Sequence, residues 1–221
     1  MVTAVRDEGL VLHIDGAQPI SVAATEAVLR VCDRAEDQAT AGLVTVHVWG
    51  APAGGRAADL TVGLLTKWER AVRRLERLGL TTVAVASGDC GGPALDVLLA
   101  TDVRIAATGT RLVIPLDDGA TWPGMALYRL ARQGAGRVRR HALLGEPIEA
   151  ADAVALGLLD SVVADPGLEL ALLAEAAAGV AGRELAIRRQ LLMDAARTSF
   201  EDALGSHLAA CDRALRRGVA S

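Results

Sequence analysis

Short apolar runs rich in β-branched residues alternate along the chain with longer stretches in which apolar residues recur every three or four positions. The short runs predict buried strands, and the longer stretches predict helices that bury one face. The predicted strands are residues 10–14, 43–50, 81–88, 102–107, 111–115 and 158–163. Strands that alternate with helices predict an α/β protein with parallel strands, and the helical periodicity beyond Pro166 predicts an appended helical layer.

The pattern therefore divides the chain into a core of residues 1–165 and a C-terminal helical region of residues 166–221. Inside the core, Cys90-Gly91-Gly92-Pro93 predicts a sharp turn from a strand into a helix, because proline is favoured at the first helical position. We expect that helix to run from residue 94 to about residue 100. The C-terminal stretches are amphipathic, so each buries its apolar stripe either on the core or on a neighbouring subunit.

Composition and charge exclude several classes of protein. The net charge is −4, and the aromatic side chains are three Trp, one Tyr and one Phe. Such a chain has neither the basic surface nor the stacking residues expected of a nucleic-acid-binding protein. No apolar run approaches the roughly 20 residues that span a bilayer, and acidic residues precede the first apolar stretch, unlike a signal peptide. We expect a cytoplasmic protein without membrane association.

The cysteines and histidines offer no metal-binding pattern. Cys32, Cys90 and Cys211 lie far apart, without a C-x-x-C spacing, and the four histidines lack metal-ligand spacing. We therefore expect buried, reduced thiols and no metal.

Three segments carry a resemblance to a known family: residues 86–107 (ASGDCGGPALDVLLATDVRIAA), residues 121–164 and the upstream Ala57-Ala58-Asp59-Leu60. Together they resemble the crotonase (enoyl-CoA hydratase/isomerase) superfamily. The resemblance implies a crotonase/ClpP-like spiral of repeated ββα units, with a C-terminal helical region used for oligomerisation. It further implies an acyl-CoA thioester as substrate, no separate cofactor, and a homotrimer or hexamer.

Members of this family stabilise a thioester enolate with two backbone N–H groups, an oxyanion hole. Ala58 matches the first donor, and Ala57, Asp59 and Arg56 beside it are candidate substrate-binding residues. The second donor falls on Pro93, which has no N–H. Either Gly92 or Ala94 takes that role, or half of the oxyanion hole is missing. We take Ala58 and Gly92 as the candidate pair.

Hydratases of the family also use two glutamates for proton transfer. The first matches Asp96, which acts as a base or only stabilises the start of its helix, where the helix dipole favours the ionised carboxylate. The second matches Leu116. The neighbouring Asp117 and Asp118 are interpreted as an exposed turn before Gly119, so hydration by two carboxylates is not expected.

The Asp-Cys-Gly-Gly-Pro turn in a short chain is similar to the crotonase-like proteins of the actinobacterial 3,5-dihydroxyphenylglycine pathway. This similarity implies help to a type III polyketide synthase, through dehydration and aromatisation of a polyketide-CoA intermediate. Asp96 is then the catalytic residue. The alternative is a non-catalytic subunit that binds the synthase or a sister crotonase, which Pro93 and Leu116 favour. An ordinary enoyl-CoA hydratase is the third hypothesis.

Overall fold

The structure is a computed structural model that describes residues 10–37, 42–54, 60–180 and 182–219. The strands are β1 (Val11–Asp15), β2 (Leu43–Gly50), β3 (Thr81–Gly91), β4 (Val103–Ala107), β5 (Arg111–Val113), β6 (Leu116–Asp117), β7 (Ala120–Thr121), β8 (Ile148–Glu149) and β9 (Ser161–Val163). The α-helices are α1 (Val22–Asp37), α2 (Val62–Leu75), α3 (Pro93–Leu98), α4 (Met125–Gln133), α5 (Arg139–Leu144), α6 (Ala150–Ala155), α7 (Pro166–Ala177), α8 (Arg183–Ala195) and α9 (Phe200–Val219). A 3₁₀-helix, Ala135–Val138, joins α4 to α5.

A mostly parallel sheet forms the frame of the core. Its main path runs β1-β2-β3-β4-β9, while β5 pairs in parallel with the end of β3 and antiparallel with β8. The predicted α/β class with parallel strands is therefore confirmed. The strand β3 continues three residues beyond the predicted end, because Asp89 to Gly91 pair with β5. The short β6, β7 and β8 were not predicted, since two-residue strands show no periodicity.

Helices α1 and α2 pack against each other, and the strands and helices share one apolar core. Helix α2 begins after Thr61, whose Oγ1 accepts a hydrogen bond from the Leu64 N–H at 3.1 Å, a typical N-terminal cap. Its apolar stripe buries Trp68, Val72 and Leu75 completely. This stripe matters for the site, because it brings Trp68 against the start of α3.

Helix α3 is shorter than predicted: it spans Pro93–Leu98 rather than residues 94 to about 100. The chain then passes through a turn into β4, and the residues of the whole helix are buried. Because α3 follows directly on the central strand β3, its side chains lie between the sheet and the helices that cover it.

The predicted C-terminal helical region is present as α7, α8 and α9. Helix α7 packs against β3 and β4, and α8 is joined to the core by Arg189. The Arg189 guanidinium donates to both carboxylate oxygens of Asp102, at 2.6 and 2.7 Å, and to the carbonyls of Leu78 and Leu80. None of the described helices is long and apolar enough to cross a membrane.

Candidate active site

A cavity of about 400 Å³ opens at the carboxyl ends of β1, β2 and β3. Loops at this edge of a parallel sheet are the usual place for a ligand. Most of the side chains around the cavity are apolar, so it suits an apolar group that makes few polar contacts. The lining residues are Ala17, Gln18, Pro19, Ile20, Pro52, Ala53, Gly54, Leu60, Gly92, Pro93, Pro115, Leu116, Asp117 and Trp122.

The turn between β3 and α3 forms one wall of this cavity. Gly92 has φ +52°, and a Cβ at this position would lie 2.9 Å from Pro52 Cγ. A Cβ on Gly16, in the loop after β1, would lie 2.2 Å from the Gly91 carbonyl oxygen. Only glycine fits both positions, so the loops after β1 and β2 pack tightly against the glycine turn.

The structure separates the two alternatives for the second oxyanion donor. Gly92 lines the cavity, as does Pro93, whereas Ala94 is completely buried with its Cβ beneath Gly16. Gly92 is therefore the better candidate, and its role as a donor stays a prediction. Nothing in the geometry restores an N–H at Pro93.

The other predicted oxyanion and substrate residues, Arg56, Ala57, Ala58 and Asp59, lie outside the described residues. The described residues on either side, Gly54 and Leu60, both line the cavity.

The surroundings of the thiol in the glycine turn disfavour a nucleophilic thiolate. Cys90 is buried, and its Sγ lies 3.5 Å from the carbonyl oxygen of Val48. Burial raises the pKa of the Cys90 thiol to about 12, so the thiolate is not populated near neutral pH. Cys32 is also buried, as predicted, whereas Cys211 is exposed. Among the described residues, no group of three or more His, Cys, Asp or Glu side chains is placed to hold a metal ion.

Asp96 lies in the first turn of α3, but it is not among the residues that line the 400 Å³ cavity. Its carboxylate instead occupies a buried pocket between α2, α3 and α4. Trp68 Nε1 donates a hydrogen bond to Asp96 Oδ2 at 2.9 Å, and the backbone N–H of Ala126 lowers the pKa of the carboxyl. Arg129 Nη1 lies 4.0 Å from Asp96 Oδ1, beyond hydrogen-bond distance. We call Trp68, Glu69, Asp96 and Arg129 the Asp96 cluster.

Electrostatics in this cluster favour the protonated acid. Burial, followed by the nearby Glu69 carboxylate, raises the pKa of Asp96 to about 7 against the opposing effects of Trp68, Arg129 and Ala126. Desolvation therefore opposes the ionised form that the start of the helix favours. A carboxyl that titrates near pH 7 can both hold and accept a proton under physiological conditions.

The second glutamate position of the family holds Leu116, which lines the cavity. Asp118, at φ +49°, and Gly119 form the turn between β6 and β7, so the interpretation of an exposed turn is confirmed for Asp118. It is wrong for Asp117, which is half-buried and also lines the cavity. Because β6 is only two residues long, no periodicity in the sequence revealed which way Asp117 faces.

A fold of this class, with a cavity behind a glycine turn at the edge of a parallel sheet, matches known proteins over most of the chain. The family model for enoyl-CoA hydratase/isomerase matches residues 57–217. A relative named enoyl-CoA-hydratase, from Amycolatopsis orientalis, is 59% identical over 213 residues, covering 96% of this chain and 98% of the relative. This chain therefore belongs to the enoyl-CoA hydratase/isomerase family, the crotonase superfamily.

Solved structures agree on the fold at low sequence identity. An enoyl-CoA hydratase/isomerase from Marinobacter aquaeolei superposes with a TM-score of 0.73 at 17% identity, covering 95% of this chain and 89% of that one. An enoyl-CoA hydratase/isomerase family protein from Silicibacter pomeroyi gives 0.76 at 18% identity, covering 93% and 95%. These likenesses show that the predicted crotonase fold is present.

Proposed function

We propose that this protein assists a type III polyketide synthase by dehydrating and aromatising a polyketide-CoA intermediate to 3,5-dihydroxyphenylacetyl-CoA, the role associated with DpgB of dihydroxyphenylglycine biosynthesis. The Asp89-to-Pro93 turn supports this assignment through its resemblance to that group. The substrate is an acyl-CoA thioester, and the protein works in the cytoplasm without a cofactor of its own.

One observation carries the proposal. Hydratases of the family use two carboxyl side chains, and this chain has a carboxyl group at only one of those positions, with a pKa near neutrality. Asp96 has a pKa of about 7, whereas Leu116 stands at the second position. Loss of water from a β-hydroxy intermediate removes one α-proton and returns one proton to the departing hydroxide. A single acid that can hold or release a proton at pH 7 can serve both transfers in turn. The negative charge that develops on the thioester oxygen needs a backbone donor, for which Gly92 and Ala58 are the candidates.

A second candidate function is that of a non-catalytic subunit that binds the synthase or a sister crotonase. Three features favour it: the missing N–H at Pro93, the apolar Leu116, and the position of Asp96 behind the cavity wall. Pro93 lines the cavity, whereas Asp96, three residues later on α3, is buried and does not line it.

The two functions are separated by a synthase assay. Malonyl-CoA consumption and aromatic product formation by a type III polyketide synthase are measured with the wild-type protein, with Asp96→Asn and with Asp117→Asn. If Asp96 transfers the proton, Asp96→Asn lowers the enhancement by roughly 100-fold. Asp117→Asn tests whether Asp117, which lines the cavity instead of lying in an exposed turn, takes part in proton transfer.

Asp118→Asn is the matched control, because Asp118 is exposed in a turn and asparagine tolerates its left-handed backbone. Full enhancement by all three variants supports the accessory subunit. No enhancement by the wild-type protein contradicts both functions and leaves only the family assignment.

We also propose that the protein assembles as a homotrimer or hexamer. Several large apolar side chains on α8 and α9 are exposed in the single chain, which favours burial against another subunit. The most exposed are Leu192, Phe200, Leu208 and Leu215. Light scattering at micromolar concentration is expected to give three or six times the mass of the chain, and a monomer would contradict the assembly.

A further inference from the structure

We propose that a second cavity, of about 430 Å³ between α2, α4 and the end of α8, binds one anionic group, a carboxylate or a phosphate. This basic cavity is defined by Arg73, Arg129, Arg132 and Arg197, together with Tyr128. It shares no lining residue with the cavity at the carboxyl ends of the strands.

Two of these arginines are held beside one tyrosine without a carboxylate to neutralise them. The guanidinium carbons of Arg132 and Arg197 each lie 5.7 Å from the centre of the Tyr128 ring. Cations are attracted to an aromatic face at this distance, but the ring leaves both charges in place. Within the part of the chain that the structure describes, neither arginine has a carboxylate oxygen within 4.0 Å.

The hydrogen bonds of the pair are to neutral groups. Arg132 Nη2 donates to the carbonyl oxygen of Met193 at 3.1 Å, near the end of α8, and Arg197 Nη2 donates to the Tyr128 hydroxyl. A helix carbonyl attracts a cation but cancels little of its charge. Most of the ten N–H groups of the two guanidinium groups therefore remain available for an anion.

A third arginine in the lining is buried and incompletely satisfied. Arg129 is 5% exposed, and its Nη2 donates to Glu69 Oε2 at 3.0 Å. Its Nη1 is buried without a hydrogen-bond partner among the described residues. A buried guanidinium nitrogen without an acceptor costs free energy, and the carboxylate oxygen Asp96 Oδ1 lies 4.0 Å from it, beyond hydrogen-bond distance.

The acids nearby do not balance the arginines. Arg73 is paired with Glu76, and Glu69 is paired with Arg129. Asp194 accepts a hydrogen bond from Gln190 Nε2 at 2.7 Å. Among the described residues, the charge that remains uncompensated is therefore that of Arg132 and Arg197, which have no carboxylate oxygen within 4.0 Å. These two guanidinium groups match a carboxylate or a phosphate. A planar carboxylate or a phosphate can accept two parallel N–H bonds from one guanidinium, which is the geometry that arginine favours.

Binding is tested with the full chain, by isothermal titration with sodium phosphate and, in a separate arm, sodium acetate, at constant ionic strength. We expect saturable binding to the wild-type protein, and roughly tenfold weaker binding to Arg132→Gln and to Arg197→Gln. A preference for phosphate assigns the site to a phosphate ester, and a preference for acetate assigns it to an organic acid.

Arg70→Gln is the matched control, because Arg70 is an exposed arginine of α2 that does not line the basic cavity. Its binding is expected to equal that of the wild type. Weakening of the same size in Arg70→Gln would mean that only overall charge matters, and would overturn the proposal, as would the absence of saturable binding. Arg197 lies in an exposed turn between α8 and α9, so Arg197→Gln keeps the test valid even if Arg132→Gln does not fold. The readout is binding without turnover, so it does not depend on the proposed function.

Discussion

Two aspartates lie in and just after the short helix α3, and the protein surrounds them in opposite ways. Asp102, just after the helix, receives two N–H bonds from Arg189 at 2.6 and 2.7 Å, and two more bonds from the N–H and hydroxyl of Thr82 at 2.9 Å. Asp96, in the first turn, receives one side-chain bond from the described part of the chain, where the nearest guanidinium nitrogen, Arg129 Nη1, is 4.0 Å away. The negative charge of Asp102 is therefore compensated by hydrogen bonds and an ion pair, whereas that of Asp96 is not.

The difference separates a structural acid from a candidate functional one. The Asp102–Arg189 pair joins the residue that precedes β4 to α8 and so helps to attach the C-terminal region to the core. Among the residues that the structure describes, Asp96 has no close ion pair, and burial raises its pKa to about 7. Incompletely compensated carboxyls with raised pKa values are typical of sites that transfer protons. Structural ion pairs require the close geometry that Asp102 has.

The largest effect is expected from breaking the structural pair. Arg189→Met leaves the Asp102 carboxylate and the carbonyls of Leu78 and Leu80 without their donor. Removing one partner of a buried pair costs about 3–5 kcal/mol of unfolding free energy, and urea denaturation followed by circular dichroism measures it.

Arg188→Met, on the same helix, is the control for this variant. Arg188 pairs with Glu184 one turn away, and its side chain is 56% exposed. An exposed pair of this kind contributes at most about 0.5 kcal/mol. Equal losses for the two variants would contradict the structural role given to Arg189.

The contrast between the aspartates also marks what the sequence could predict. The parallel strands, the glycine turn and the position of Asp96 on α3 were all accessible, because each depends on local periodicity or on a family motif. The environment of Asp96 was not, because Trp68 lies 28 residues before it and Arg129 lies on another helix. Long-range packing turns a carboxyl that local electrostatics would ionise into one with a pKa near 7.

The pair of Asp102 and Arg189 was equally inaccessible, since 87 residues separate them and each has the appearance of an ordinary surface charge in the sequence. Asp117 was misjudged for the opposite reason: its surroundings are local, but the two-residue strand β6 is too short for an alternation to show. Local patterns and the family resemblance therefore predicted the fold and a candidate site, whereas the pKa of Asp96 depends on tertiary contacts.

A smaller effect, dependent on pH, is expected for Asp96→Asn. In the native protein the pKa of Asp96 is about 7, above its ordinary value of 3.8, so the native state binds more protons than the unfolded state between these values. The wild type therefore loses stability as the pH rises from about 4 through about 7. At about 1.4 kcal/mol per pKa unit, the loss in unfolding free energy is roughly 4 kcal/mol at most.

Asparagine cannot ionise and can still accept a hydrogen bond from Trp68, so the variant should lack this loss. Urea midpoints at pH 5 and pH 8 measure the difference, and an equal pH dependence in both proteins would contradict the buried acid.

The smallest effect, about 1 kcal/mol, is expected for the coupling between Asp96 and Arg129. A double-mutant cycle with Asp96→Asn and Arg129→Met isolates this pairwise term from the loss of the bond between Arg129 and Glu69. At pH 5 Asp96 is protonated, so the coupling should be close to zero. At pH 8.5 the carboxylate is ionised 4.0 Å from Arg129 Nη1, and the coupling should become favourable.

The corresponding cycle with Asp102→Asn and Arg189→Met should give a coupling several times larger at both pH values, because that carboxylate is bonded directly to its guanidinium. Similar couplings for the two pairs would mean that Arg129 closes on Asp96 as Arg189 does on Asp102, and the distinction between a structural and a functional aspartate would then fail.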